Sequence, residues 1–161
     1  MFKHLLVTLD GSPEAEKVVP HAIDMARAMS ASVTLLMVVD AIDSDWTERG
    51  TLGKGHVASA LVEQARTYLE RVSSQIEVGQ LSPLGLPNAA GSITPCTVVR
   101  QGVPARQILR TAKEVEADAI AMVTHSRQGI NRLMLGSVAE EVLHASGLPV
   151  LLIRTGTPGD A

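Results

Sequence analysis

The chain is poor in aromatic residues. One Phe, one Tyr and one Trp serve 161 residues, or 2% of the composition. Its core must therefore be aliphatic, and binding single-stranded nucleic acid through stacked bases is excluded as a main activity. A single cysteine, Cys96, excludes an internal disulfide and a cysteine-based metal cluster. The net charge is −3 and no dense Lys/Arg run occurs, which disfavours a general binder of phosphate backbones. No apolar run approaches the roughly 18 residues that a membrane span needs. Lys3, His4 and Asp10 interrupt the first apolar run, so it does not read as a leader. Neither nucleic acid nor a membrane is expected as a partner, and the plain expectation is a soluble cytoplasmic protein. The five histidines show no His-x-x-x-His spacing, and no Lys follows a Gly-rich loop in the manner of a P-loop.

Hydrophobic residues make up 45% and charged residues 19%, ordinary proportions for a folded domain. The length suits one domain, which would bury about two-thirds of its unfolded surface. Leu5–Leu9 reads as a short buried strand ending at Asp10-Gly11-Ser12-Pro13. There Ser12 suits a helix N-cap, Pro13 the first helical position and Glu14 the helix dipole. Ala15, Val18, Val19, Ala22, Ala26 and Met29 follow helical spacing, and the apolar run Val33–Val39 reads as a strand buried on both faces. Residues 40–56 lose periodicity and read as a mobile loop. A helix follows with Ala58, Leu61, Val62, Ala65, Tyr68, Leu69 and Val72 on one face, and residues 80–94 fit no element. Thr97–Arg100 is a third strand, Gly102-Val103-Pro104 opens a helix, and Ala119–Val123 is a fourth strand. Val150–Ile153 is a fifth, and residues 155–161 read as a flexible tail. Strands alternating with helices predict an α/β fold with a doubly wound, five-stranded parallel sheet, a single domain over 1–154. Ligands in such sheets bind beyond the carboxyl ends of the strands at the topological switch point. Asp10 and the segment Thr124 to Gln128 are the candidates for that crevice.

The densest signal runs from Asp118 to Arg154: a strand, a polar loop, a helix opening at Gly136-Ser137, and a last strand. A helix start just past a strand end offers backbone N–H groups to an anion, phosphate in particular. Ser137 with Glu140 three residues on is also a capping-box pattern. Two uses are thus open to Ser137, capping the helix or bonding a phosphate.

Three segments carry a resemblance to the universal stress protein family over nearly the whole chain. They are VTLDGSPEAEKVVPHA (7–22), RQGVPARQILRTAKEVEADAIAMVTHS (100–126) and RQGINRLMLGSVAEEVLHASGLPVLLIR (127–154). The resemblance implies a Rossmann-like sheet of the adenine nucleotide alpha hydrolase type, strand order 3-2-1-4-5. It implies a stress regulator responsive to ATP with Mg²⁺, or to another adenine nucleotide. It also implies a homodimer joined through Val150–Ile153, the alternative being an edge covered by the tail. The ATP-binding members resemble Gly-x-x-Gly, nine residues, then Gly-Ser or Gly-Thr. Here Gly136-Ser137 follows the nine residues Arg127–Leu135, while Val123 and Ser126 stand at the two leading glycine positions. If position 126 needs a positive φ, Ser there costs roughly 1–2 kcal/mol, on the order of tenfold in affinity.

The resemblance further implies that Asp10 bonds a ribose hydroxyl; the competing reading is that it caps its own turn. Thr8 and Leu9 would line the base by backbone and apolar contact, and Val38 would meet adenine or belong to the core. Val123, Thr124, His125, Ser126, Arg127, Gly129, Gly136, Ser137 and Val138 complete the expected nucleotide site. His125 is expected to order the loop, Gly129 to serve its turn, and Arg127 and Arg132 to face phosphates or solvent. No nucleophile or positioned general base accompanies them, so any hydrolysis is expected to be slow. A dimeric adaptor that binds no nucleotide is the rival reading.

Overall fold

A computed structural model of the chain describes residues 2–40, 54–79, 93–125 and 135–155. The sheet has five strands, β1 (His4–Leu9), β2 (Ser32–Val39), β3 (Cys96–Gln101), β4 (Ala119–His125) and β5 (Val150–Thr155). All pairs are parallel and the order is β3-β2-β1-β4-β5, as expected. The helices are α1 (Pro13–Glu16), α2 (Val18–Met29), α3 (Lys54–Glu77), α4 (Pro104–Glu114) and α5 (Ser137–Ala145).

Alternation along the strands divides the side chains between two cores. Leu5, Val7, Leu9, Val33, Leu35, Ala119 and Ala121 face α1–α3, with Val18, Val19, Ile23, Leu69, Val72 and Ile76 against them. Leu6, Leu36, Ile120 and Met122 face α4 and α5, against Ala105, Ile108, Ala112, Ala139 and Val142. Apolar residues on both faces explain why β1, β2 and β4 read as unbroken apolar runs. Each fully buried Leu, Ile or Val contributes roughly 1.5–3 kcal/mol.

The first helical segment starts as expected. Ser12 is the N-cap, its Oγ accepting the Ala15 N–H at 3.1 Å, and Pro13 opens the helix. It is nevertheless two helices and not one. Pro20 has no N–H to offer the Glu16 carbonyl four residues back, so the helix breaks at Lys17. α3 begins at Lys54, so residues 54–56 are helix and not loop, while residues 41–53 lie outside the described residues. Leu61, expected on the apolar face of α3, is 37% exposed, and that face continues instead to Ile76. Of the unassigned 80–94, residues 80–92 also lie outside the described residues. Both late strands run further than expected: β4 takes in Thr124 and His125, and β5 takes in Thr155.

The amino ends of the strands are closed by short polar contacts. Asp118 Oδ2 accepts the N–H groups of Lys3 at 2.6 Å and His4 at 2.9 Å, and these bonds hold its carboxyl below the usual carboxylate range. His4 Nε2 meets Thr34 Oγ1 at 2.8 Å. The carboxyl ends are where the connections diverge. From β1, α1/α2 and α3 wind one way through β2 to β3, and α4 then carries the chain back across to β4. The switch point therefore lies between β1 and β4.

Candidate functional site

Parallel register sets which residues meet at the switch point. Leu9 pairs with Met37, and Val7 with Ala121. Counting on from those pairs, Asp10 stands level with Val38 on one side and Thr124 on the other. Thr8, Val38 and Thr124 share the sheet face turned to α4 and α5. Leu9 and Val123 belong to the opposite face, Leu9 at 5% exposure and Val123 packed against the same core.

The expected site thus divides. Thr8, Asp10, Val38, Thr124 and the start of α5 come together at the carboxyl ends. Leu9 does not line the crevice with its side chain, because the pleat turns it into the α1–α3 core. Val123 is in the sheet for the same reason, and its side chain faces away from α5. Val38 packs against the second core. Ser126, Arg127, Gly129 and Arg132 lie outside the described residues. His125 is the last residue of β4 and not part of the loop.

The turn after β1 is tightly organised. Gly11 has φ +84°, a region that an L side chain adopts only with strain, and a Cβ there would stand 3.3 Å from Met37 Cε. Asp10 Oδ1 accepts both the Ser12 N–H at 2.9 Å and the Ser12 hydroxyl at 2.6 Å. Ser12 passes the order on by accepting from Ala15. Asp10 therefore shapes its own turn while its carboxylate stands exposed at the end of β1.

α5 starts differently from the capping-box expectation. Its N-cap is Gly136, extended at φ −60° and ψ 149°, and Ser137 is the first helical residue. Ser137 sits one position too late for its hydroxyl to act as the cap, and no side-chain cap bond forms. Gly136 brings no side chain of its own. Among the described residues no side chain caps the first-turn N–H groups, which begin the helix beside the end of β4. Gly136 N–H donates to Thr124 Oγ1 at 3.2 Å. Ala139 and Val142 bury the inner face of α5, and Gly147, at φ +63°, follows its end.

Behind Asp10 lies a cluster that the sequence pattern did not mark as polar, because Tyr68 fell on an apolar helical face. Arg71 Nη2 of α3 meets Glu16 Oε1 of α1 at 2.6 Å, and the Arg71 guanidinium lies 5.1 Å from the centre of the Tyr68 ring. Both charged partners keep solvent contact, so the ion pair itself is worth only about 0–1 kcal/mol. Packing of Tyr68 against the α1–α3 core is the larger contribution. The Tyr68 hydroxyl is buried, with no partner in hydrogen-bonding geometry among the described residues. Burial first, then the nearby Glu16 carboxylate, push its pKa well above the ordinary phenol value, with Arg71 opposing.

An α/β domain with a five-stranded parallel sheet in the order β3-β2-β1-β4-β5, and a helix start beside its switch point, belongs to the broad class of Rossmann-like folds. The particular family is set by comparison. The model of the universal stress protein family matches residues 1–154, and the chain belongs to that family. Universal stress protein MJ0531 of Methanocaldococcus jannaschii is 29% identical over 96% of this chain and 83% of its own length. YxiE, a universal stress protein of Bacillus subtilis, is 27% identical over 96% of this chain and all of its own. The solved structure of MJ0577 superposes with a TM-score of 0.76 at 24% identity, covering 98% of this chain and 99% of that one. A universal stress protein solved in complex with cAMP superposes with a TM-score of 0.57 at 20% identity, over 96% and 98%. Among the described residues no helix is long and apolar enough to cross a membrane, and no three His, Cys, Asp or Glu are grouped to hold a metal.

Tyr68 is the only tyrosine, so ultraviolet titration reads it alone. Its phenol should ionise well above the value of about 10 seen for free tyrosine, returning to it in denaturant. A folded pKa raised above the unfolded one stabilises the fold fully below the unfolded pKa and is lost as pH rises through the folded pKa. Stability should therefore decline above about pH 10. An ordinary native titration would show that the hydroxyl is solvated.

Proposed function

We propose that this universal stress protein binds ATP with Mg²⁺ at the switch point and acts as a nucleotide-responsive regulator in the cytoplasm. The observation that carries the proposal is the start of α5. Gly136 leaves the first turn without a side-chain cap, beside the end of β4 and one strand away from Asp10. Such a turn favours an anion through its N–H groups and its dipole. Phosphates would meet the Ser137 and Val138 amides and the Ser137 hydroxyl, and the ribose would reach Asp10. Thr8 and Val38 would stand on the base side, and residues 125–129 would complete the cradle. Mg²⁺ would ride on the phosphate oxygens, as it does where substrate supplies most ligands. The complex of a relative with cAMP supports an adenine nucleotide as the ligand class. Val123 does not obstruct this arrangement, since its side chain packs into the α1–α3 core.

Calorimetric titration with ATP and Mg²⁺ should give saturable heat. Gly136→Val should weaken binding by about tenfold or more while preserving the fold, because φ −60° suits any residue and Val is only a poorer N-cap than Gly. No heat at millimolar ATP would remove the proposal and leave the dimeric adaptor reading.

We further propose a homodimer through β5. This strand is paired on one side only, to β4, and Val150, Leu151, Leu152 and Ile153 remain half-buried despite being apolar. Leu143 on α5 is 42% exposed. An unpaired apolar edge favours association with a second copy. The alternative cover, residues 156–161, lies outside the described residues. Light scattering should report a dimer for the wild type and a folded monomer for Leu152→Glu. A wild-type monomer at high concentration would contradict the edge-strand argument.

A further inference from the structure

Of the amides at the start of α5, one is already engaged. Gly136 N–H donates to Thr124 Oγ1 at 3.2 Å, and Thr124 is 3% exposed. We infer that Thr124 is a positioning residue: a clasp that fixes the start of α5 on the end of β4 and aims the Ser137 and Val138 amides into the crevice. Its bearing on ligand rests on the nucleotide reading above.

The sheet's geometry directs the clasp. Thr124 follows Ile120 and Met122 at alternate positions of β4, so the pleat turns its side chain to the face that carries α5. Its β-branched form suits a strand, and its hydroxyl supplies an acceptor where Val, its near isostere, would supply none. The bond joins residues 12 apart in sequence, on either side of the segment 126–134. It therefore ties the two ends of that segment together. On the other side, Ala139 and Val142 hold α5 in the second core. With Thr124 at one end and this packing along the rest, the helix start has a fixed position and direction.

The choice of amide matters as much as the fixing. In an N-capped helix the unpartnered N–H groups belong to the first turn, and those point along the axis toward an incoming anion. Engaging the N-cap N–H with Thr124 takes up one orphan donor and leaves those of the first turn itself. Gly136 then serves by its lack of a side chain, and its own N–H is not a phosphate donor. Ser137 and Val138 become the donors, with the Ser137 hydroxyl beside them. Thr124 was expected to be a direct nucleotide contact. Its burial and its bond to Gly136 give it this other part.

The test compares wild type with Thr124→Val, Thr124→Ala and Thr124→Ser, all of the full chain, with melting temperatures as the control for folding. Without ligand, amide exchange at Gly136 followed by NMR should quicken about tenfold in the Val and Ala variants, a hydrogen bond's net worth, and stay slow in the Ser variant. With ATP and Mg²⁺, affinity should fall about tenfold in the Val and Ala variants and return to within about threefold in the Ser variant. Unchanged Gly136 exchange in both acceptor-less variants would overturn the clasp. Tighter ATP binding in them would overturn it too, since Thr124 would then be withholding a donor from the phosphate. A wild type that ignores ATP would count against the nucleotide reading alone, because the exchange measurement still decides whether the clasp exists.

Discussion

The parallel pairing of β1 with both β2 and β4 is the constraint on which the rest of this structure depends. It buries Leu5, Leu6 and Val7 on both faces of the central strand. It also brings the carboxyl ends of β1 and β4 side by side, where the winding of the chain reverses. Everything assigned to the candidate site follows from that adjacency. Asp10 leaves β1 level with Thr124, and the helix after β4 starts next to both. The two ends of the sheet are treated oppositely. At the amino end, Asp118 spends its carboxylate on the backbone N–H groups of Lys3 and His4. At the carboxyl end, the first turn of α5 begins without any side-chain cap. A structural carboxylate closes one end, and a helix start whose N-cap has no side chain stands at the other.

The two departures from the family's glycine pattern bear differently on this picture. Val123 lies within β4, where a branched apolar side chain packs against the α1–α3 core. Its cost to a ligand before α5 is small, because the pleat carries it to the other face. Ser126, which stands at the other leading glycine position, lies outside the described residues. Gly136, the glycine that remains, is the one whose missing side chain leaves the helix start open. The pattern has kept the position with the most direct physical use.

The sheet was legible because β1, β2, β4 and β5 carry short apolar runs, β3 is marked by Thr97–Val99 ahead of Gly102, and each long helix keeps its 3.6-residue period. Ser12 and Pro13 gave the start of α1 correctly, for the local reason that a hydroxyl and a fixed φ suit those positions. The split at Lys17 was also written in the sequence, at Pro20, but the carbonyl it leaves without a donor is that of Glu16, four residues upstream, and was not counted. The side chain of Leu9 turns into the α1–α3 core, a feature hidden at first because resemblance supplies a position in the chain and not a face of the sheet. Of the two uses open to Ser137, the cap is not realised, because the Ser-to-Glu140 spacing marks a helix start without fixing which residue is the N-cap. Tyr68, Glu16 and Arg71 come from helices far apart in sequence, and Thr124 and Gly136 meet only through the fold. Pairings of that kind leave no local periodicity to read.

The central claim is that a nucleotide sits between the ends of β1 and β4, against the start of α5. Amide chemical shifts recorded while ATP and Mg²⁺ are titrated into isotope-labelled protein test it most directly. The account predicts saturable changes concentrated at Asp10–Ser12, Val38–Asp40 and Gly136–Ala139, with the amino-end contacts of Lys3, His4 and Asp118 unmoved. Changes centred on the amino ends of the strands, or scattered without saturation, would contradict it.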